Sequence, residues 1–304
     1  MKQSDLYLCS GLQSGGTSIL SWCFLQRQDL DGVFDMENSV IQTDFSQIKT
    51  NKIWVKMTIG SFSSFDIAGV YKDLGYTVIP LLIIRDVRFA YSSLIKKEYG
   101  QNGNTAEDPP LKLRYRKFLD DWLMFRDRNL PILRFESFIK DPRKELMKLT
   151  QSLELPWDDA MINWNKAETE ISYFGQGNET FRLSRHKKNN IHETLADKLS
   201  TKQISPISEY DLKWLETMFK EYNLINDYPE HLENFESNKI LSAPPNFNVT
   251  SRYESIKKMN DINKKYWDVN KKLERINKHI IFGPLIRFWS IFINKKFRVF
   301  EDEK

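Results

Sequence analysis

Residues Asp5 to Leu20 read DLYLCSGLQSGGTSIL, a short apolar strand that runs into a glycine-rich turn and opens a helix. Leu6, Tyr7, Leu8 and Cys9 form an apolar run too short for a helix. Ser14, Gly15, Gly16, Thr17 and Ser18 bring little side-chain bulk and a dense row of backbone N–H groups. A strand that turns sharply into a helix aims those donors, and the positive end of the helix dipole, at one point. A phosphate group is the natural occupant of such a point. Strand and helix signals then alternate: strands near residues 5–10, 52–57, 77–84 and 131–135, helices near 17–28, 62–74, 87–98, 111–128 and 142–153. This alternation predicts an α/β fold with a parallel sheet flanked by helices.

The spacing Gly11-x-x-x-x-Gly16-Thr17-Ser18 is that of a P-loop, but Thr17 stands where a nucleotide kinase needs its lysine, which counts against ATP phosphoryl transfer. A second segment, Tyr76 to Ser93, reads YTVIPLLIIRDVRFAYSS. Its apolar stretch from Val78 to Ile84 has the pattern of a strand buried on both faces, and it ends abruptly at Arg85-Asp86. Asp86 is a good N-cap for the following helix. A cation at the carboxyl end of a buried strand stands where α/β folds place their ligands; the plain alternative is that Arg85 pairs with Asp86 or Asp121 at the surface. A third segment, Leu130 to Pro142, reads LPILRFESFIKDP: a strand over Ile132 to Phe135, then a helix that starts after Asp141 with proline in its first turn.

Together the three segments resemble the sulfotransferases that use 3′-phosphoadenosine 5′-phosphosulfate as donor. Gly11 to Ser18 resembles their loop G-x-P-R/K-S-G-T-T, and the Gly-Gly-Thr variant is similar to the loop of heparan-type enzymes. Arg85 and Ser93 match the arginine and serine of the family segment R-D/N-P-x-x-x-x-x-S, with Val87 at the proline. Leu133 to Pro142 resembles L-R-Y-E-D-L-x-x-D-P, with Phe135 at the tyrosine. The resemblance runs from Asp5 to about Trp157 in the family's order. It implies a P-loop-like sheet, a donor cradle of Ser14, Gly15, Gly16, Thr17 and Ser18, and a 3′-phosphate held by Arg85 and Ser93.

Sulfuryl transfer asks for a phosphate cradle, a cation near the leaving oxygen and a base for the acceptor hydroxyl, with no metal required. Ser14 occupies the loop place where the family carries arginine or lysine, so Lys56, closing the strand Ile53-Trp54-Val55, is the expected substitute; its ordinary reading is a strand-end charge. The family's K-x-H histidine falls at Thr58. Glu37, in Phe34-Asp35-Met36-Glu37-Asn38, resembles the acidic segment that supplies the base in heparan-type enzymes, and Asp35 and His186 stand behind it. An ordinary loop carboxylate is the alternative for Glu37. Arg182 and Arg185, in the basic run FRLSRHKK, are expected to reach the 3′-phosphate as the family's closing loop does, unless the run is only a solvated face. Trp54 is either an adenine-stacking ring or core.

The 304 residues, 40% hydrophobic and 28% charged, carry 45 basic and 41 acidic side chains for a net charge of +4, so no global field of the nucleic-acid-binding kind exists. The two cysteines, Cys9 and Cys23, are read as reduced buried thiols. With no basic-then-apolar signal at its start, the chain is expected in the cytoplasm, with residues 1–240 as the sulfotransferase domain and 251–304 as a helical tail. Its acceptor is expected to be a hydroxyl of a sugar, glycolipid or small molecule. A catalytically silent relative acting in assembly and a small-molecule kinase are the competing readings; altered Ser14 and Thr58 favour the former, and Thr17 counts against the latter.

In the tail, Met259, Ile262, Tyr266, Val269, Leu273, Ile276 and Ile280 recur at alternating spacings of three and four, which reads as a short coiled-coil seam for a homo-oligomer or as one amphipathic helix packed on its own subunit. Ile280 to Ile293, flanked by Lys278, Lys295, Lys296 and Arg298, is shorter than the roughly 20 residues a bilayer span needs. It reads as an interfacial anchor for peripheral membrane contact or as a core-packing helix. If the seam mediates assembly, Leu273→Asp with Ile276→Asp converts any oligomer to monomer in light scattering; an unchanged mass assigns the seam to intramolecular packing.

Overall fold

A strand that is apolar on both faces needs cover on both sides and partners on both edges, and β1 (Asp5–Gly11) has all four. The computed structural model describes residues 4–36, 41–94, 109–173, 190–200 and 209–225. These lie within Met1–Tyr253; the chain's second unit, Glu254–Lys304, lies outside them, and with it the seam and anchor expected of the tail. Strands β1, β2 (Asp31–Val33), β3 (Lys52–Lys56), β4 (Thr77–Ile84) and β5 (Ile132–Arg134) form a parallel sheet in the order β2-β3-β1-β4-β5. The fold is therefore the α/β, P-loop-like parallel sheet expected from the sequence.

Helix α1 (Thr17–Leu25) is buried along almost its whole surface, the state required of a helix that is apolar all round. Trp22 meets Phe34 and Trp164 edge-on at 5.7 and 6.4 Å, and Phe24 stacks on Trp54 at 4.3 Å with 12° between the ring planes. Cys9 and Cys23 are free and wholly buried in this layer, and burial pushes the Cys9 thiol up to about 12, so it stays protonated. Helix α2 (Ser64–Asp73) starts from a capping box in which Ser63 and Asp66 exchange backbone bonds. Helices α3 (Val87–Leu94) and α4 (Pro109–Asp127) follow, then α5 (Phe135–Lys140) and α6 (Pro142–Ser152), the latter capped by Asp141 with proline in its first turn. Helices α7 (Ile191–Ser200) and α8 (Glu209–Phe219) complete the described elements.

Pro80 lies inside β4 without breaking the sheet. The N–H of Leu82, two residues on and pointing the same way, reaches Pro131 O at 3.1 Å, and the β5 pairing begins only there. The side of β4 that Pro80 leaves without a donor is thus open sheet edge, where proline is tolerated.

One element is added to the sequence reading and one boundary is corrected. The segment before Phe34 forms a strand, β2, that the sequence reading did not list; it carries no apolar run of its own and exists through its pairing with β3. Gly32 is obligatory in it, because a Cβ there would stand 1.8 Å from Trp54 O. Phe135, expected at the end of a strand, instead begins α5, and its ring covers Gly16.

Behind the turn lies a buried polar chain. Ser10 donates to Leu81 O at 3.1 Å, the Ser64 hydroxyl donates to Ser10, and the Ser64 N–H donates to the Asp121 carboxylate at 2.7 Å. Burial pushes the Asp121 carboxyl up to about 7; Asp66 acts in the same direction and the bonds from Ser64 act against it. A folded-state value above the ordinary 3.8 means that this group's stabilisation is complete below about 4 and is lost as pH rises through about 7. In urea titrations, Asp121→Asn therefore gains on the parent as pH rises across that window; a constant difference between the two would place Asp121 at its ordinary value.

Candidate functional site

The carboxyl ends of all five strands lie along one edge of the sheet, and that edge collects the chemistry. Chain leaves β1 toward β2 on one side and leaves β4 toward β5 on the other, so the switch point of the sheet lies between β1 and β4. The turn from Leu12 to Gly16 stands there. Its Gly15 N–H bonds back to Leu12 O at 2.9 Å, and Ser14 and Gly16 both take positive φ, 64° and 104°. At Gly16 only glycine fits, since a Cβ would also stand 2.4 Å from the Phe135 ring. Ser14 holds its left-handed conformation at a cost of about 1–2 kcal/mol. Helix α1 begins with neither a capping side chain nor an acid in its first turn, and the Ser14 hydroxyl is buried with no hydrogen-bond partner. Donors and helix dipole meet at one anion-sized point.

Arg85, the residue after β4, folds across the switch point and donates Nη1 to Ser14 O at 2.7 Å. Its guanidinium sits over the Phe135 ring at 4.9 Å and the Phe89 ring at 5.9 Å. Burial lowers its pKa, opposed by Glu136 and Asp86, and it remains a cation. The surface pairing with Asp86 or Asp121 is not what the structure shows. Asp86 is fully buried, caps α3 through Arg88 N at 3.0 Å and holds the Arg88 guanidinium, while Asp121 serves Ser64. Ser93 lies half-buried in the last turn of α3.

On the other side of β1, Lys56 ends β3 opposite Cys9. It is 3% exposed, and its Nζ donates to Asp35 at 2.5 Å. Two of the residues expected from the sequence are thus brought into one ion pair. Met36 N bonds Lys56 O at 3.0 Å, which fixes the Phe34–Met36 segment against the end of β3. Trp54, by contrast, is wholly buried and packed on Phe24, so its ring is core and offers no face to an adenine. Glu37, His186, Arg182 and Arg185 lie outside the described residues.

Three groups that sequence reading did not single out complete the edge. Glu136, at the start of α5, accepts from Asp86 N at 2.8 Å and keeps its second carboxylate oxygen buried without a partner. From α4, Arg114 donates Nη1 to Gln13 Oε1 at 2.6 Å, and its Nε and Nη2 lie 3.6 Å from where a Cβ on Gly60 would stand. Lys117, one turn on, donates to Ser61 O. Only a residue's position in the third segment marked Glu136 in advance, and nothing in the local sequence marked Arg114. Among the described residues no His, Cys, Asp or Glu side chains gather as a metal site, and no helix is long and apolar enough to cross a membrane.

No protein-family profile matches the chain, and no curated protein matches it. Solved structures to which the chain is similar include three sulfotransferases. The sulfotransferase domain from the Synechococcus PCC 7002 olefin synthase aligns with a TM-score of 0.45 at 14% identity over 75% of this chain and 98% of that one. Mouse sulfotransferase SULT7A1 complexed with PAP aligns with a TM-score of 0.44 at 14% identity over 72% and 83%. The sulfotransferase domain from the curacin biosynthetic pathway aligns with a TM-score of 0.42 at 14% identity over 72% and 98%.

The Lys56–Asp35 pair is a buried charge contact at this edge. Asp35→Ala leaves a buried ammonium uncompensated and is expected to cost about 3–5 kcal/mol in urea unfolding, most of it recovered by adding Lys56→Met. A loss below about 1 kcal/mol, the worth of an exposed pair, would mean that the lysine escapes to solvent.

Proposed function

We propose that the chain is a sulfotransferase that moves a sulfuryl group from 3′-phosphoadenosine 5′-phosphosulfate to an acceptor hydroxyl. The observation that carries the reading is the bond from Arg85 to Ser14 O across the β1–β4 switch point, which joins a strand-end cation to an uncapped glycine turn in a single anion site. The residues present fit the donor. The turn offers backbone N–H groups and an unpartnered buried hydroxyl, and beside it stands an arginine whose face lies on Phe135 and whose edge N–H groups beyond the one given to Ser14 O suit a second phosphate.

When bound, the donor supplies a sulfuryl group whose sulfur–oxygen bond to the 5′-phosphate breaks, the electron pair staying on that phosphate, as the acceptor oxygen bonds to sulfur. Backbone N–H groups of Gly15, Gly16, Thr17 and Ser18, with the Ser14 hydroxyl, hold the 5′-phosphate. Arg85 and Ser93 hold the 3′-phosphate, joined by Arg182 and Arg185. Asp35 holds Lys56 in place at the strand end, so Lys56 presents a preorganised donor to the leaving oxygen. Because Asp35 is committed to Lys56, the acceptor proton falls to Glu37, with His186 as the remaining candidate. The acceptor is the hydroxyl of a carbohydrate, glycolipid or small natural product, and the tail is assigned to self-association or to a membrane surface.

Calorimetric titration with adenosine 3′,5′-bisphosphate, without metal, tests the reading. The chain is expected to bind it far more tightly than ADP or ATP, and Arg85→Ala is expected to remove about 2–4 kcal/mol of that binding, the cost of an unanswered buried phosphate contact. Equal affinity for ATP and the bisphosphate, or a silent Arg85→Ala, would overturn it.

A further inference from the structure

Where β4 and β5 part, one buried backbone donor is left to satisfy. The ladder ends with Ile84 opposite Arg134, after which one chain carries Arg85 toward the switch point and the other opens α5. Asp86 is fully buried, so its N–H needs an acceptor inside the protein. The Glu136 side chain provides it, accepting from Asp86 N through Oε1 at 2.8 Å. Its second oxygen, Oε2, is buried with no hydrogen-bond partner, so the one bond to Asp86 N is the hydrogen bonding this carboxylate does among the described residues. Leaving a buried carboxylate oxygen unanswered is costly, and the amide held in return is the one next to Arg85.

We propose that Glu136 is the positioning residue for Arg85: by holding Asp86 N it fixes the backbone from which the guanidinium reaches the turn, and so sets the 3′-phosphate contact without touching the nucleotide. The inference rests on the sulfotransferase reading and deepens its 3′-phosphate site.

Arg85 stands between two anchored neighbours. Ile84 is held by β5, and Asp86 is held through its N–H by Glu136, through its carbonyl by Ala90 N at 3.1 Å, and through its carboxylate by Arg88. The guanidinium is then aimed at its far end, with Nη1 on Ser14 O at 2.7 Å and its face on the Phe135 ring at 4.9 Å. Consecutive residues of α5 thus serve the two ends of one arginine, Phe135 the guanidinium and Glu136 the amide beside its Cα. Burial lowers the Arg85 pKa, and Glu136, then Asp86, act against it. A purely local role for Glu136, as the acid in the first turn of α5, would concern that helix alone, whereas the bond to Asp86 reaches 50 positions back along the chain. A binding side chain is only as well placed as the backbone beneath it, so a loosened Asp86 amide lets the guanidinium drift from the turn.

The test compares two nucleotides by calorimetry on the full chain: adenosine 3′,5′-bisphosphate, and adenosine 5′-monophosphate, which lacks the 3′-phosphate. Glu136→Ala is expected to weaken the bisphosphate about tenfold and to leave the monophosphate unchanged. The conservative Glu136→Gln keeps an oxygen for Asp86 N and is expected to recover most of that loss; a glutamine variant as weak as the alanine one overturns the bond as the means. Added to Arg85→Ala, Glu136→Ala is expected to bring no further loss, because it acts through that guanidinium. If urea titration shows Glu136→Ala unfolded, Glu136→Asp takes its place, one methylene too short to reach Asp86 N and expected to lose the bisphosphate alone. Equal weakening of both nucleotides, or a loss that adds in full to that of Arg85→Ala, would make Glu136 a support of the fold only. A Glu136→Ala chain that binds both like the parent removes the positioning role and leaves the sulfotransferase reading standing, whereas a parent chain that binds neither nucleotide sinks the two together.

Discussion

A strand hydrogen-bonded on both edges and covered on both faces can release the chain only at its end, and β1 is such a strand. Its register with β3 and β4 runs from Asp5 to Cys9 on one side and from Asp5 to Gly11 on the other. The chain must then reverse within a few residues to lay α1, apolar all round, into the core. That reversal is affordable only with Ser14 and Gly16 at positive φ and with no side chain at Gly16, under the Phe135 ring. The helix therefore starts at the sheet edge with its amide donors exposed to whatever occupies the switch point. The exposed amide donors are a consequence of how β1 is buried.

Charge at this edge is arranged in two layers. The deeper groups are partnered within the protein: Arg88 with Asp86, Lys56 with Asp35, and Asp121 with the amide of Ser64. Such pairs add little net stability over apolar packing, but breaking one is expensive, so they hold α3, the Phe34–Met36 segment and α2 in place. Nearer the turn, Arg85 donates to Ser14 O and Arg114 to the Gln13 amide oxygen.

Behind the turn, one clamp shows how far the support extends. Lys166 is buried, and its Nζ donates to Arg27 O and Leu30 O at 3.1 and 3.2 Å, just beyond the end of α1. Desolvation lowers its pKa, with Asp31 acting in the opposite direction. Asp31 also accepts from Ser172 N at 3.1 Å, and Tyr173 bonds across to Gly32 O and Phe34 N. The residues around Ser172 thus cover the open edge of β2 and steer the chain toward Asp35.

Local sequence determined the parts of this protein whose physics is local. The apolar runs of β1 and β4 required burial on two faces, the Ser-Gly-Gly turn required left-handed backbone, Asp86 and Asp141 capped the helices they precede, and Arg85 stood where a strand must end. Tertiary structure decided what depends on neighbours distant in the chain. Gly32 becomes a strand residue because β3 is beside it, and Phe135 leaves its strand because its ring is needed over Gly16. Trp54 is core because Phe24 lies on it, and Asp35 answers Lys56 because β2 and β3 pair in one register. Arg114 meets Gln13, 101 positions away, through nothing that spacing or periodicity records. Helical and strand periods act over a few residues, whereas the charge partners of a sheet edge are chosen by which strands and helices the fold sets side by side.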